Sequence, residues 1–190
     1  IDLVLSGINH GSNAASAACY SGTLGAAEEA ALNGVRSIAV SLASMHSDAD
    51  FSPVETLFPD IFSSLMESWP DKYGLFYNIN FPSLPLQEIK GVRVCHQGLG
   101  KWVREFREWN PEILEKYGIT KEFLGTAVFR EPGWGERAYM MAGDFVDDGN
   151  NLPGADHIML KEGYVTIVPD MTDYSERKRL EDNGFNRDFK

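Results

Sequence analysis

Apolar residues enter this chain as short uninterrupted runs. Leu3-Val4-Leu5 comes first, followed by Ser37-Ile38-Ala39-Val40-Ser41-Leu42 and then Leu75-Phe76-Tyr77-Asn78-Ile79-Asn80-Phe81, closed by Pro82. Runs of this length predict strands buried on both faces, the habit of parallel sheets. Between the first two runs, residues 23–33 are rich in alanine and predict a helix, with Asn33-Gly34 as its stop. Strand, helix and strand over residues 3–42 make a βαβ unit, which implies parallel strands and a right-handed crossover. Val54, Leu57, Phe58, Ile61, Phe62 and Leu65 recur at helical spacing after Pro53, predicting an amphipathic helix to Trp69. Pro59 within it is expected to cause a kink or a late start.

The second half is less regular. Gly91-Val92-Arg93-Val94-Cys95 predicts a fourth strand, while residues 98–110 are charged and aromatic without a decided period. Residues 111–117 suit a short helix. Segments 127–130 and 138–142 flank Pro132-Gly133-Trp134-Gly135 and predict an antiparallel hairpin, an arm at the surface. An acidic loop is expected over 144–154, a short helix over 155–162, a last strand over 164–169 and a charged helix over 172–183. The fold class is therefore α/β with a mostly parallel sheet. Residues 1–95 form the core that holds the opening loop, and residues 96–190 complete the same domain and add the arm.

Composition narrows the partners. A hydrophobic share of 43% over 190 residues supports a packed core in one domain. A formal charge of −11 argues against a basic surface for duplex nucleic acid. No apolar run is long enough to span a bilayer. Two cysteines, Cys19 and Cys95, are too few for a disulfide framework. With no leader-like pattern at Ile1, a reducing cytoplasm is the expected compartment. The chain opens on Ile1-Asp2-Leu3 rather than methionine, so elements preceding Ile1 are expected in the natural protein.

Chemistry concentrates where the first strand hands over to the first helix. Ser6-Gly7-Ile8-Asn9-His10-Gly11-Ser12-Asn13 is followed by Tyr20-Ser21-Gly22-Thr23. Loops at this place in open α/β sheets hold ligands, and helix N-termini offer free N–H groups to phosphate. An asparagine oxygen is a hard neutral donor suited to Mg²⁺ or Mn²⁺. The same residues also suit a polar turn and a helix N-cap with no ligand at all. Both readings stand on the residues alone.

The whole series resembles the signature of the SurE family, the stationary-phase survival nucleotidases. The resemblance continues through Asn33-Gly34-Val35-Arg36-Ser37-Ile38-Ala39-Val40-Ser41, Asn78-Ile79-Asn80-Phe81-Pro82, Val92-Arg93-Val94 with Gln97-Gly98 and Trp102, Asp156, and Gly163-Tyr164-Val165-Thr166-Ile167 with Pro169. It implies a Rossmann-like three-layer sandwich and a phosphatase that hydrolyses nucleoside 5′- and 3′-monophosphates with a divalent metal ion. It further implies some action on short polyphosphate, and a homodimer or tetramer built with the C-terminal arm. By that likeness Asn9 matches the metal-ligating asparagine. Asn13, Ser21 and Thr23 match catalytic polar residues, and Ser6, Gly7, Ser21, Gly22 and Thr23 line the substrate phosphate. The family's paired aspartates and a serine ligand belong upstream of Asn9, outside this chain. The 190 residues alone are thus expected to be inactive, and the alternative is a non-catalytic module that binds nucleotide or phosphate. Pro169-Asp170 stands where the family has Pro-Leu, a departure that touches packing.

The remaining chemistry-bearing residues read more simply. His10 should point away from Asn9, and His46, Asp48 and Asp50 suit a solvated loop. Cys19 and Cys95 read as buried small hydrophobes, and Cys95-His96 as neighbours facing opposite ways. Asp144, Asp147, Asp148 and Gly149 fall short of a calcium loop. Trp102, Trp109 and Trp134 suit subunit packing better than base stacking, since no basic track accompanies them.

Overall fold

The computed structural model describes residues 1–110, 112, 115, 133–141, 143–147 and 149–172. Its centre is a five-stranded sheet built from β1 (Leu3–His10), β2 (Arg36–Leu42), β3 (Leu75–Phe81), β4 (Val92–Val94) and β9 (Val165–Met171), in the order β1-β2-β3-β9-β4. β1, β2 and β3 run parallel, β9 is antiparallel to β3, and β4 is parallel to β9. Every residue of β3 is buried, as the unbroken apolar run predicts. Ile38, Ile79 and Phe81 are fully buried, and burial of such a side chain contributes roughly 1.5–3 kcal/mol.

Strand alternation gives the sheet two unlike faces. Ile38, Val40 and Leu42 on β2 and Tyr77, Ile79 and Phe81 on β3 pack with Val54 and Ile61 of α2 (Ser52–Ser68). The opposite face carries Ala39 and Phe76 against Leu24, Ala27 and Ala31 of α1 (Gly22–Leu32). Three layers result, α2, sheet and α1. On the α1 face, Ser37, Ser41, Asn78, Asn80 and Thr166 are also buried, and the registers that pair Ser41 with Asn80 and Asn80 with Thr166 place them side by side. The runs read as uniformly apolar therefore hide a period of two. One face is hydrocarbon and the other is small or polar.

α2 is one element from Ser52 to Ser68 with Pro59 inside it, so the late start expected there does not occur. Pro59 is exposed, and its carbonyl accepts from Ser63 Oγ at 2.9 Å. The undecided stretch after residue 98 resolves into β5 (Gly100–Val103) and β6 (Phe106–Glu108). β7 (Tyr139–Met141) pairs with β6, and β8 (Asp144–Asp147) pairs with β5, both antiparallel. The acidic loop expected from residue 144 thus begins as a strand, because Phe145 pairs with Trp102 across the ribbon. Glu112 and Glu115 are helical. The expected strand at 127–130, most of the short helix at 111–117, and the terminal helix beyond Thr172 lie outside the described residues. α3 (Asp156–Lys161) precedes β9. Among the described residues no helix is long and apolar enough to cross a membrane.

Asp170 is the misfit in the sheet. It sits on the α1 face of β9 opposite Phe76, and burial, with Asp156 and Glu28 adding repulsion, pushes its carboxyl up to about 6. Unfolded chain gives up this proton near pH ~4, whereas the native carboxyl keeps it to about 6, so stability falls as pH rises through that window. Asp170→Asn should raise the melting temperature at pH 7.5, by a ΔΔG on the order of 2 kcal/mol, and leave it unchanged at pH 4. Thermal unfolding followed by circular dichroism at the two pH values checks this.

Candidate active site

The opening loop rests on the polar face of the sheet. β1 begins in regular parallel register with β2, then shifts between Ser6 and Asn9. The peptide between Gly7 and Ile8 is cis, and Gly7 has φ +125. A Cβ there would fall 2.3 Å from the Val40 carbonyl oxygen, so only glycine fits. Irregularities of this kind re-aim the side chains that follow. Here the shift sets Asn9 beside Ser41 and His10 beside Leu42. Asn9 thereby joins the polar face. His10 joins the apolar one, where its ring meets Phe51 edge-on at 4.9 Å.

Asn9 is clamped by its amide. Its Nδ2 donates to the Gly11 carbonyl at 2.8 Å and to Asn13 Oδ1 at 3.4 Å, which turns Oδ1 away from the loop as the donor atom left for a ligand. Asn13, only 5% exposed, is the hub beneath it. Its N–H donates to Asn80 Oδ1 at 2.8 Å, its Nδ2 to Ser41 Oγ at 2.6 Å, and its carbonyl accepts from Asn78 Nδ2 at 3.0 Å. Asn80 Nδ2 in turn donates to Asn78 Oδ1 at 2.9 Å. Each amide in this cluster is oriented by another.

Ser21, Gly22 and Thr23 stand at the far end of a 3-10 segment, Ala15–Tyr20. Ser21 is the N-cap of α1, its hydroxyl accepting from Leu24 N–H at 3.0 Å. That bond occupies a lone pair and leaves the Ser21 O–H to donate. The Gly22 and Thr23 N–H groups have no partner within the helix, as at any helix start. Among the described residues no hydrogen bond ties them to Asn9 or Asn13. Ser6 is half-buried on β1 across from Ala39.

Asp156 fixes this whole loop from below. The carboxylate is fully buried and accepts the Ala15 N–H at 3.0 and 3.1 Å, the Gly98 N–H at 2.9 Å and the His157 N–H at 2.7 Å. Ala15 has φ +51, a left-handed conformation that costs an alanine roughly 1 kcal/mol, and the Asp156 bonds hold it there. Sequence reasoning placed Asp156 in the family pattern without a role. Ser41, Asn78 and Asn80 were also left without one, although Ser37-x-x-x-Ser41 and Asn78-x-Asn80 recur at even spacing and could have revealed a polar strand face.

The bland readings hold for several other residues. Asp50 accepts from the Ser52 N–H and hydroxyl, both at 2.9 Å, in an exposed turn before α2 that also carries His46 and Asp48. Cys95 is buried, and that burial pushes its thiol up to about 11, which removes it as a nucleophile. Cys19 is exposed, contrary to expectation, because the 3-10 segment turns it outward from the sheet.

The comparisons with known proteins now bear on this geometry. The family model described as "Survival protein SurE" matches residues 1–104, more than half of the chain. The chain belongs to the SurE family. The protein named 5′-nucleotidase SurE of Cytophaga hutchinsonii is 35% identical over 189 residues, covering 100% of this chain and 63% of its own length. A protein of the same name in Ruegeria pomeroyi is 35% identical over 187 residues, covering 95% and 64%. The crystal structure of the SurE protein from Aquifex aeolicus superposes with a TM-score of 0.68 at 26% identity, over 97% of this chain and 64% of that one. The chain thus spans somewhat under two thirds of the length of these SurE proteins.

Removing the Asp156 carboxylate would leave the Ala15 and Gly98 N–H groups buried without acceptors. Asp156→Ala is expected to destabilise the fold by about 3 kcal/mol or more, given ~1.5–3 kcal/mol for each bond to a charged group. Urea unfolding measures it, and a loss below ~1 kcal/mol would show that the loop is held by other means.

Proposed function

We propose that this chain is part of a metal-dependent nucleotidase that hydrolyses nucleoside 5′- and 3′-monophosphates to nucleoside and inorganic phosphate. The observation that carries the reading is the Asn9 amide, re-aimed by the β1 shift and clamped by Gly11 and Asn13. Its companions in the family are named 5′-nucleotidases, which supports the same chemistry here.

Mg²⁺ or Mn²⁺ is the ion this donor suits, since Asn9 Oδ1 is a hard neutral oxygen. One such oxygen fits one corner of the coordination shell. Among the described residues no three His, Cys, Asp or Glu side chains come together to hold an ion. The bound ion would polarise the phosphoryl group and lower the pKa of its water. The chain's own residues bind and orient. Ser21 and Thr23 hydroxyls, with the Gly22 and Thr23 N–H groups, hold phosphate oxygens at the positive end of α1. Ser6 and Gly7 border the same phosphate from β1, and Asn13 keeps Asn9 aimed. Short polyphosphate presents the same terminal phosphate and is a second substrate. A homodimer or tetramer joined through the C-terminal arm, working in the cytoplasm, completes the proposal.

In the full-length protein, Asn9→Ala should cut manganese-dependent hydrolysis of AMP by about a hundredfold or more, with an unchanged circular dichroism spectrum. Unaltered kcat would sink the assignment. Residues 1–190 as an isolated chain should hydrolyse AMP only at background with manganese present. Robust turnover by that chain would show that its own donors suffice. A full-length protein that binds AMP at equilibrium dialysis yet never hydrolyses it would select the non-catalytic nucleotide-binding module instead.

A further inference from the structure

At the amino ends of β2 and β3 a concavity of about 360 Å³ lies between the end of α1 and the turn that joins α2 to β3. Its volume is within the range of about 300–1,000 Å³ typical of small-molecule sites. β2 and β3 are each 7 residues long, so the opening loop, at their other end, is roughly 20 Å away. Two rings line the concavity. Trp69 is half-buried and meets Tyr77 edge-on at 4.6 Å, which seats it on the core. Tyr73 is 69% exposed, yet its hydroxyl donates to the Leu32 carbonyl at the end of α1. The turn that carries it is tied as well. The Lys72 N–H donates to the Pro70 carbonyl at 2.8 Å, and the Gly74 carbonyl accepts from the Thr172 N–H at 3.0 Å. An exposed aromatic ring is thus held in place beside a hollow.

Two cations share this hollow. Arg36 and Lys72 line it, and the Arg36 guanidinium carbon lies 5.9 Å from the centre of the Trp69 ring. Among the described residues neither cation is paired with a carboxylate, although Asp71 lines the same hollow. In a chain with 28 acidic and 17 basic side chains, two unpaired cations at one concavity are an exception that calls for an anion. We propose that this concavity is a second binding site for a nucleoside monophosphate, separate from the loop at Asn9. The inference goes beyond the nucleotidase reading and does not depend on it. The guanidinium fork and the ammonium suit phosphate oxygens. The Tyr73 and Trp69 rings offer surface on which a base stacks. Asp71 accepts from ribose hydroxyls or from a base amine. Inorganic phosphate would use the cations and leave the rings idle. An uncharged aromatic ring would cover the two cations without pairing them, which is costly. A ligand with a phosphate at one end and a planar ring at the other uses both.

The test is photolabelling of the full-length protein with 8-azido-AMP in EDTA, which holds back metal-dependent hydrolysis of the probe, followed by glutamate-specific digestion and mass spectrometry. Label is expected on the peptide that contains Tyr73. AMP should protect that peptide at a concentration about tenfold lower than adenosine or ribose 5-phosphate, each of which lacks one half of the ligand. In the double variant Arg36→Gln/Lys72→Gln, label on the Tyr73 peptide should fall about tenfold. Both side chains are exposed, so the circular dichroism spectrum and any label at the opening loop should stay as in the wild type. Absence of label at Tyr73, or equal label there in wild type and variant, overturns the proposal. Protection by ribose 5-phosphate or inorganic phosphate at the same concentration as AMP also overturns it, since the site would then read only the anion. None of these outcomes bears on whether the protein hydrolyses AMP.

Discussion

The buried carboxylate of Asp156 is the constraint on which the rest of the molecule depends. It gathers N–H groups from three places distant in sequence, the loop after β1, the turn before β5 and the start of α3. The Ala15 and Gly98 groups would be orphan donors in buried positions without it, and a charged acceptor is the strongest available remedy. The loop cannot relax without disturbing the ribbon, and the ribbon cannot shift without disturbing α3. Precision at the site comes from this shared anchor, since the loop itself contains few large side chains to pack.

The second constraint is the asymmetry of the sheet. A parallel sheet covered on both faces is usually hydrocarbon on both. Here only the α2 face is. The α1 face carries Ser41, Asn78 and Asn80, which hydrogen-bond the loop instead of repelling it. Burying these amides is tolerable only because the Asn13 backbone and side chain satisfy them in turn. A site made of neutral amides in a low-dielectric setting holds its geometry without adding net charge.

Much of this was legible in the residues. The βαβ unit, the helix at residue 52, the buried strands and the place of the loop all follow from period and punctuation, because local apolar pattern decides them. Asn9 and the α1 start were singled out from hydrogen-bonding residues at a strand-to-helix turn. What escaped was long-range. No local signal says that Asp156 reaches Ala15, 141 positions away, or that a strand at Asp144–Asp147 pairs with one at Gly100–Val103. The Asn78 and Asn80 alternation was visible as text but hidden by the strength of the apolar run around it. Ser21 shows the opposite lesson. Its cap on Leu24 fulfils the plain reading of an N-cap, and accepting that bond still leaves its O–H able to donate.

The shift in β1 has a consequence for how this site can change. In a regular strand, side-chain parity would carry the face of Ser6 to Ile8 and His10, and Asn9 would look into the α2 layer. The shift at Gly7, whose φ is +125, inverts that parity within three residues, so of two adjacent polar side chains the amide of Asn9 and not the imidazole of His10 lies on the polar face. The loop sequence is therefore only half of the specification. Its meaning depends on the phase of the strand that delivers it, and that phase changes between Ser6 and Asn9.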